Sequence, residues 1–232
     1  MKLQKETILS GGPHGKWYDD ACGTAFALEL VGERWSLLIV RELMFGGRRF
    51  TDLRNVLPGL SAKVLTERLE TLERAGILRR RQTPPPRAAQ LYELTPWGLQ
   101  ADEAIMALGR WAAASPDHDP TLPLSAASLM LSFRTMFAPE RAGGLDFRAG
   151  ITVGAEWFSV EVAGGRLAAA RGEPEFPAFH LAAPTAMPIA ALVYGKVPAA
   201  DLARAGLAAT GDQTLLARFV DLFHLPPKAQ TA

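Results

Sequence analysis

The sequence predicts two folded units: a mainly α unit closed by a two-stranded hairpin, and an α+β unit after it. Three observations predict this division. Helical patterns with caps and glycine stops run from about residue 21 to 76 and give way to a basic, hairpin-like pair of segments. The stretch Ser115-Pro116-Asp117-His118-Asp119-Pro120 then breaks all periodicity. Beyond it, short alternating segments and helices intermix. The 232 residues are 48% apolar and 21% charged, enough to build two cores of roughly 100 residues each.

The elements follow in order. Residues 1–19 are expected to form a flexible arm, because the first 17 are rich in glycine and polar groups. A helix is expected from Ala21 to Val31, ending at Gly32. A second, strongly apolar, runs from Trp35 to Met44 and is stopped by Gly46-Gly47. Phe50 to Leu57 is a short helix with Phe50, Leu53, Val56 and Leu57 on one side, ended by Pro58-Gly59. Ser61 is placed to cap a helix reaching Ala75, with Gly76 as its stop. Its apolar stripe is Val64, Leu65, Leu69 and Leu72, and Lys63, Thr66, Glu67 and Glu70 fall opposite. ILRRRQ and QLYELT read as two strands joined through a proline-rich tip, Thr83 to Ala89. Thr95-Pro96 opens one further helix to about Ala114.

The second unit, 125–232, follows a linker at 116–124. It begins with a helix from Ser125 to Phe137. FSVEV alternates, and Gly164-Gly165 turns the chain into RLAAAR. Phe179–Ala182 is a strand, helices follow at about Thr185–Tyr194 and Ala199–Ala205, and Leu207–Thr210 is a short strand. Asp212 caps a closing helix, Gln213–Phe223.

Charge is distributed unevenly. The net charge is +1, yet ten basic residues face four acidic ones between 46 and 90. A local basic patch of this kind suits a polyanion docked on one face. Helix, helix, capped helix and basic hairpin in this order describe a winged helix-turn-helix. Such a helix enters the major groove of double-stranded DNA, and side chains in its first two turns reach base edges. The candidates here are Ser61, Lys63, Thr66 and Glu67. Arg79, Arg81 and Arg87 of the hairpin would hold phosphates, with Arg48, Arg49 and Thr51 approaching from the preceding helix. Other roles compete: a triple arginine is often only a solvated surface, and Glu67 and Glu70 are as well suited to intrahelical pairing, Glu70 with Arg74.

The segment from CGTAFALELVGERW through GRRFTDL, LPGLSAKVLTERL and LYELTPWG resembles the HxlR-type winged-helix regulators, over roughly residues 20–113 of the unit expected at 20–115. The resemblance implies a homodimer whose first and last helices meet, and two recognition helices that read a pseudo-palindromic operator. It also implies a thiol-sensor role for Cys22, against the plainer role of a small residue at the dimer contact. The three prolines and Ala88-Ala89 depart from the family's wing tip.

The stretch PAFHLAAPTAMPIAALVYGKVPAADLARAGLAATGDQTLLARFVDLF resembles the sterol-carrier-protein-like domain. That resemblance implies an apolar tunnel for a lipid or similar small molecule, with Phe158, Val160, Met187, Leu192, Phe219 and Phe223 as lining. The same residues would equally fill an ordinary core.

Catalysis, metal and cofactor have little to rest on. His14, His118, His180 and His224 stand at no metal-ligand spacing. G-x-S-x-G and P-loop motifs do not occur. The N-terminal twenty residues lack the apolar core of a secretion signal, and Cys22 is the one cysteine, so a reducing, cytoplasmic setting is expected without a membrane span. The expected function is a homodimeric, sequence-specific DNA-binding transcription regulator whose second unit binds an apolar small molecule. A lipid-carrier or accessory binding module that uses the winged helix for dimerisation or protein contact is the rival.

Overall fold

A computed structural model describes residues 18–86 and 88–230. The N-terminal arm up to residue 17 and Arg87 therefore lie outside the described residues. The first half runs α1 (Gly23–Val31), α2 (Ser36–Leu43), α3 (Phe50–Val56), α4 (Ala62–Arg74), β1 (Leu78–Gln82), β2 (Gln90–Leu94), α5 (Pro96–Leu99) and α6 (Asp102–Ala113). The second runs α7 (Ala126–Met136), α8 (Pro139–Ala142), β3 (Phe147–Val153), β4 (Glu156–Ala163), β5 (Arg166–Arg171), β6 (Phe179–Ala183), α9 (Ala186–Val193), α10 (Ala199–Leu202) with a 3-10 turn after it, β7 (Ala208–Gly211) and α11 (Gln213–Val220).

Local chemistry sets the element ends. The Ser61 hydroxyl accepts from the Val64 N–H, Ser125 from Ser128, and Asp212 from Thr214 and Leu215. The α4 stripe is buried as its spacing requires, with Leu65, Leu69 and Leu72 all essentially inaccessible. β1 and β2 pair antiparallel, Leu78 opposite Leu94 and Gln82 opposite Gln90.

The expected single helix from Thr95 to Ala114 is instead two. Gln100 and Ala101 take ψ of −11° and −6°, which tightens the chain between α5 and α6. The cause is docking of α5 under the wing. The Thr95 hydroxyl donates to the Gly76 carbonyl, and a Cβ at Gly98 would lie 2.0 Å from the Ile77 oxygen. Only a glycine lets the helix approach so closely.

Among the described residues, the second half builds a five-stranded sheet in the order β5-β4-β3-β6-β7. β3 pairs antiparallel with β4 and parallel with β6, and the other pairings are antiparallel. The central strand β3 went unread in the sequence. Six of its seven residues are buried, so FRAGITV lacks the alternation that marks a half-exposed strand. α7, α9 and α11 pack against the sheet. Between them lies a cluster of Phe133, Phe147, Phe179, Phe219 and Phe223, with ring centroids 4.8–6.2 Å apart. α11 stops at Val220 rather than Phe223, because residues 222–224 extend to bond the backbone of 136–138.

The two halves touch along α2, α6 and α7. Arg110 donates to the Thr135 carbonyl at 2.5 Å, and Arg134 pairs with Asp102 at 2.5 Å. No helix among the described residues is long and apolar enough to cross a membrane.

Candidate nucleic-acid interface

α4 is held from behind and open in front. Arg68 anchors it, donating to Glu33 at 2.8 Å and to the Arg34 carbonyl, which fixes α4 against the turn between α1 and α2. In its first two turns Ser61, Lys63, Thr66 and Glu67 are all exposed. The Thr66 hydroxyl donates back to the Ala62 carbonyl, so its methyl is left outermost.

The wing stands beside this helix because Arg80 crosses to Glu73 of α4 at 2.9 Å and lies over the Tyr92 ring. Glu73, rather than Glu70, is thus the acidic residue of α4 that finds a cation. Arg74 donates to Thr71 and to the Glu70 carbonyl instead. Arg79 and Arg81 point the other way, with 62% and 47% of their side chains exposed. Both hold Glu93 of β2, at 2.8 and 2.7 Å. The hydrogen bond from Arg81, and then that from Arg79, keeps the Glu93 carboxyl below its ordinary value. Glu93 therefore carries a full charge at neutral pH and cancels half of the arginine pair.

Arg49 and Thr51 are exposed at the start of α3, where Asp52 accepts from the Arg49 N–H. Arg48 corrects the expectation from sequence. It is only 6% exposed, and its guanidinium turns inward. Nε donates to the Glu42 carbonyl, and Nη2 lies 2.8 Å from Glu156 of β4 and 3.5 Å from the fully buried Glu42 carboxylate. Arg171 of β5 also pairs with Glu156. Glu42 further accepts from Arg41 and from Ser125, the cap of α7, the latter at 2.6 Å. A guanidinium so enclosed has no path to a phosphate. Sequence could not separate Arg48 from Arg49, since Glu156 lies 108 residues away and Glu42, although only six residues away, is brought inward by the packing of α2.

Outside the interface, Cys22 is exposed at the start of α1. The N–H groups of Ala25 and Thr24 draw its thiol below the ordinary value. α1 is apolar along most of its length, yet it buries no residue in the monomer. α6 leaves Leu108 exposed and Trp111 77% exposed.

Most of the residues expected to line a tunnel lie in the buried core. Phe158, Val160, Phe219 and Phe223 are completely buried and packed, and Leu192 is nearly so. Met187 lines a cavity at the junction of the halves. The Phe219 and Phe223 rings meet 4.8 Å apart between the sheet and the helices, as close-packed core residues do. No group of three or more His, Cys, Asp and Glu residues among the described residues could hold a metal ion.

Comparison with known proteins concentrates on the first half. The profile of the HxlR-like helix-turn-helix family matches residues 30–119. The uncharacterized HTH-type transcriptional regulator YtfH of Escherichia coli (strain K12) is 38% identical over 99 residues, covering 42% of this chain and 77% of that protein. The HTH-type transcriptional regulator YodB of Bacillus subtilis (strain 168) is 35% identical over 86 residues, covering 37% and 77%. Among solved structures, the reduced form of YodB from B. subtilis aligns over 43% of this chain and 100% of that chain, at 31% identity and a TM-score of 0.39. With the profile match and so large a share of YtfH aligned, the chain belongs to the HxlR-like helix-turn-helix family.

Proposed function

We propose that this protein is a homodimeric transcription regulator that binds double-stranded DNA. Residues 20–115 act as the DNA-binding and dimerisation unit, 116–124 as a linker, and 125–232 as a sterol-carrier-like unit for an apolar small molecule. One observation carries the reading: a Ser61-capped helix offers Ser61, Lys63, Thr66 and Glu67 to solvent beside a wing bearing exposed Arg79 and Arg81. A helix of this kind presents its first turns to base edges, while wing arginines grip the backbone and fix the register.

Dimerisation is supported by the apolar surface of α1 and by Trp111 on α6, which a second copy would cover. Cys22, at the start of α1, would then sit at or near the dimer contact. The α+β assignment of the second unit draws support from its single sheet with α7, α9 and α11 packed against it.

Fluorescence anisotropy with duplexes from around the protein's own gene tests the proposal. Specific binding should weaken steeply with salt; Arg81→Ala should reduce the slope of log K against log[salt] by about 1, and Lys63→Ala should cost about 1–3 kcal/mol on the specific duplex. Equal affinity for random duplex DNA at every salt concentration refutes it.

A further inference from the structure

A cavity lies between the two halves of the chain. It has a volume of about 1230 Å³, at or slightly above the size of sites that hold drug-sized ligands. α2 supplies Leu37 and Leu38 to one wall, α6 supplies Leu108 and Ala112, α9 supplies Met187 and Ala191, and residues 117–124 pass along the side. The space has a local cause. α6 and α9 turn Gly109, Ala112, Ala190 and Ala191 toward it, and such small side chains do not span the distance at which α7 and the linker hold the walls. Close packing elsewhere in the interior makes this opening a built feature rather than a packing defect.

Its polar groups are few and convergent. The Ser132 and Tyr194 hydroxyls both line the cavity and meet at 2.6 Å. Burial pushes the Tyr194 phenol up, so it stays protonated. The pair keeps one hydroxyl proton and spare lone pairs for a third group. Arg41 is the one arginine or lysine among the lining residues, and its charge is already taken by Glu42 at 2.9 Å. Asp117 and Asp119 add negative charge along the linker. An anionic head group is therefore disfavoured.

We propose that this junctional cavity is the small-molecule site, and that it takes a neutral, mostly hydrocarbon molecule with one hydroxyl or carbonyl, held by Ser132 and Tyr194. The inference rests on the reading of the chain as a ligand-responsive regulator and moves the site out of the packed second core. Occupancy bears directly on the DNA-binding unit. α2 forms one wall and carries Glu42, which joins Arg48, beside the wing, to Ser125 at the head of α7. A ligand that fits one spacing of α2 and α9 better than another would shift the equilibrium between them.

The test uses the full chain and the neutral fluorophore N-phenyl-1-naphthylamine, titrated without DNA. Ala112→Trp and Ala191→Phe fill the cavity from opposite walls, and thermal melts establish that each variant is folded. Both should weaken fluorophore binding at least ten-fold. 1-Decanol should displace the fluorophore at lower concentration than decanoate at pH 8, and Tyr194→Phe should reduce the potency of decanol about two- to ten-fold. Unaltered fluorophore affinity in both folded filling variants overturns the proposal, as does equal potency of decanoate and decanol. Fluorophore binding that falls as subunits associate overturns it too, since the cavity would then be a subunit interface. DNA affinity measured separately, without fluorophore, tests the regulator reading, so failure of one is distinguishable from failure of the other.

Discussion

Replacing Arg48 with Met separates a structural arginine from a DNA-contacting one. The substitution keeps the aliphatic volume and removes the guanidinium. Glu42, with no accessible surface, then loses its Arg48 partner, and its carboxylate oxygen Oε2, which makes no hydrogen bond even with Arg48 present, loses the cation 3.5 Å from it. Glu156 keeps Arg171 but loses its 2.8 Å contact with Arg48. Removing one member of a buried ion pair costs about 3–5 kcal/mol when the charge left behind is uncompensated; here Glu42 keeps Arg41 and Ser125, and Glu156 keeps Arg171, so the loss falls at the lower end, about 3 kcal/mol. For a domain of this size each kcal/mol lowers Tm by about 2–4 °C, so a fall of roughly 6–12 °C is expected. Converting Glu42 to Gln in the same chain should recover part of that loss, because the buried group that has lost a cation is no longer charged. The assay pairs a thermal melt with DNA anisotropy at several salt concentrations. The salt slope per folded molecule should equal that of the unmodified protein, whereas Arg81→Ala should lower it by about 1. An unchanged Tm with a slope reduced by about 1 would refute the assignment and return Arg48 to the phosphate-binding set.

Three further outcomes follow from the same geometry. Glu93→Gln releases Arg79 and Arg81 from their shared carboxylate, so affinity for any duplex should rise and its salt dependence steepen; unchanged binding would mean that the wing does not reach the backbone. The Glu93 carboxyl is held below its ordinary value, so its contribution to stability is present above the unfolded value of about 4.3 and disappears as pH falls through the lower folded value. Glu93→Gln should therefore flatten the acid limb of a denaturation-against-pH curve, and an identical limb in both proteins would show the pairs to be without effect. Ser61→Ala removes the hydroxyl that accepts from Val64 and should cost about 1 kcal/mol in urea unfolding, while Ser61→Gly should cost only a few tenths.

Much of the DNA-facing half is legible in the residues because its determinants are local. The cap at Ser61, the stripe Val64-Leu65-Leu69-Leu72 and the stop at Gly76 lie within one helix, and the basic hairpin lies directly after it. Helix capping and amphipathic spacing act over a few residues, so a linear reading recovers them. The break between α5 and α6 was hidden because it depends on how closely Gly98 approaches Ile77 across the wing base. β3 was hidden for a related reason, since a strand covered on both faces carries no alternation to read.

The sequence by itself determined most of the helices and strands, though not β3, α8 or the break between α5 and α6, and that basic side chains gather on one hairpin and the helix before it. Tertiary structure alone decided which arginines stay in water. Arg48 and Arg49 are neighbours of the same type, yet one is enclosed by Glu42 and Glu156 and the other is exposed. It also decided that the aromatic residues of the second half fill a core while small residues on α6 and α9 leave a cavity between the halves. Burial and charge pairing depend on groups brought together across long stretches of chain, and neither propensity nor spacing encodes that meeting.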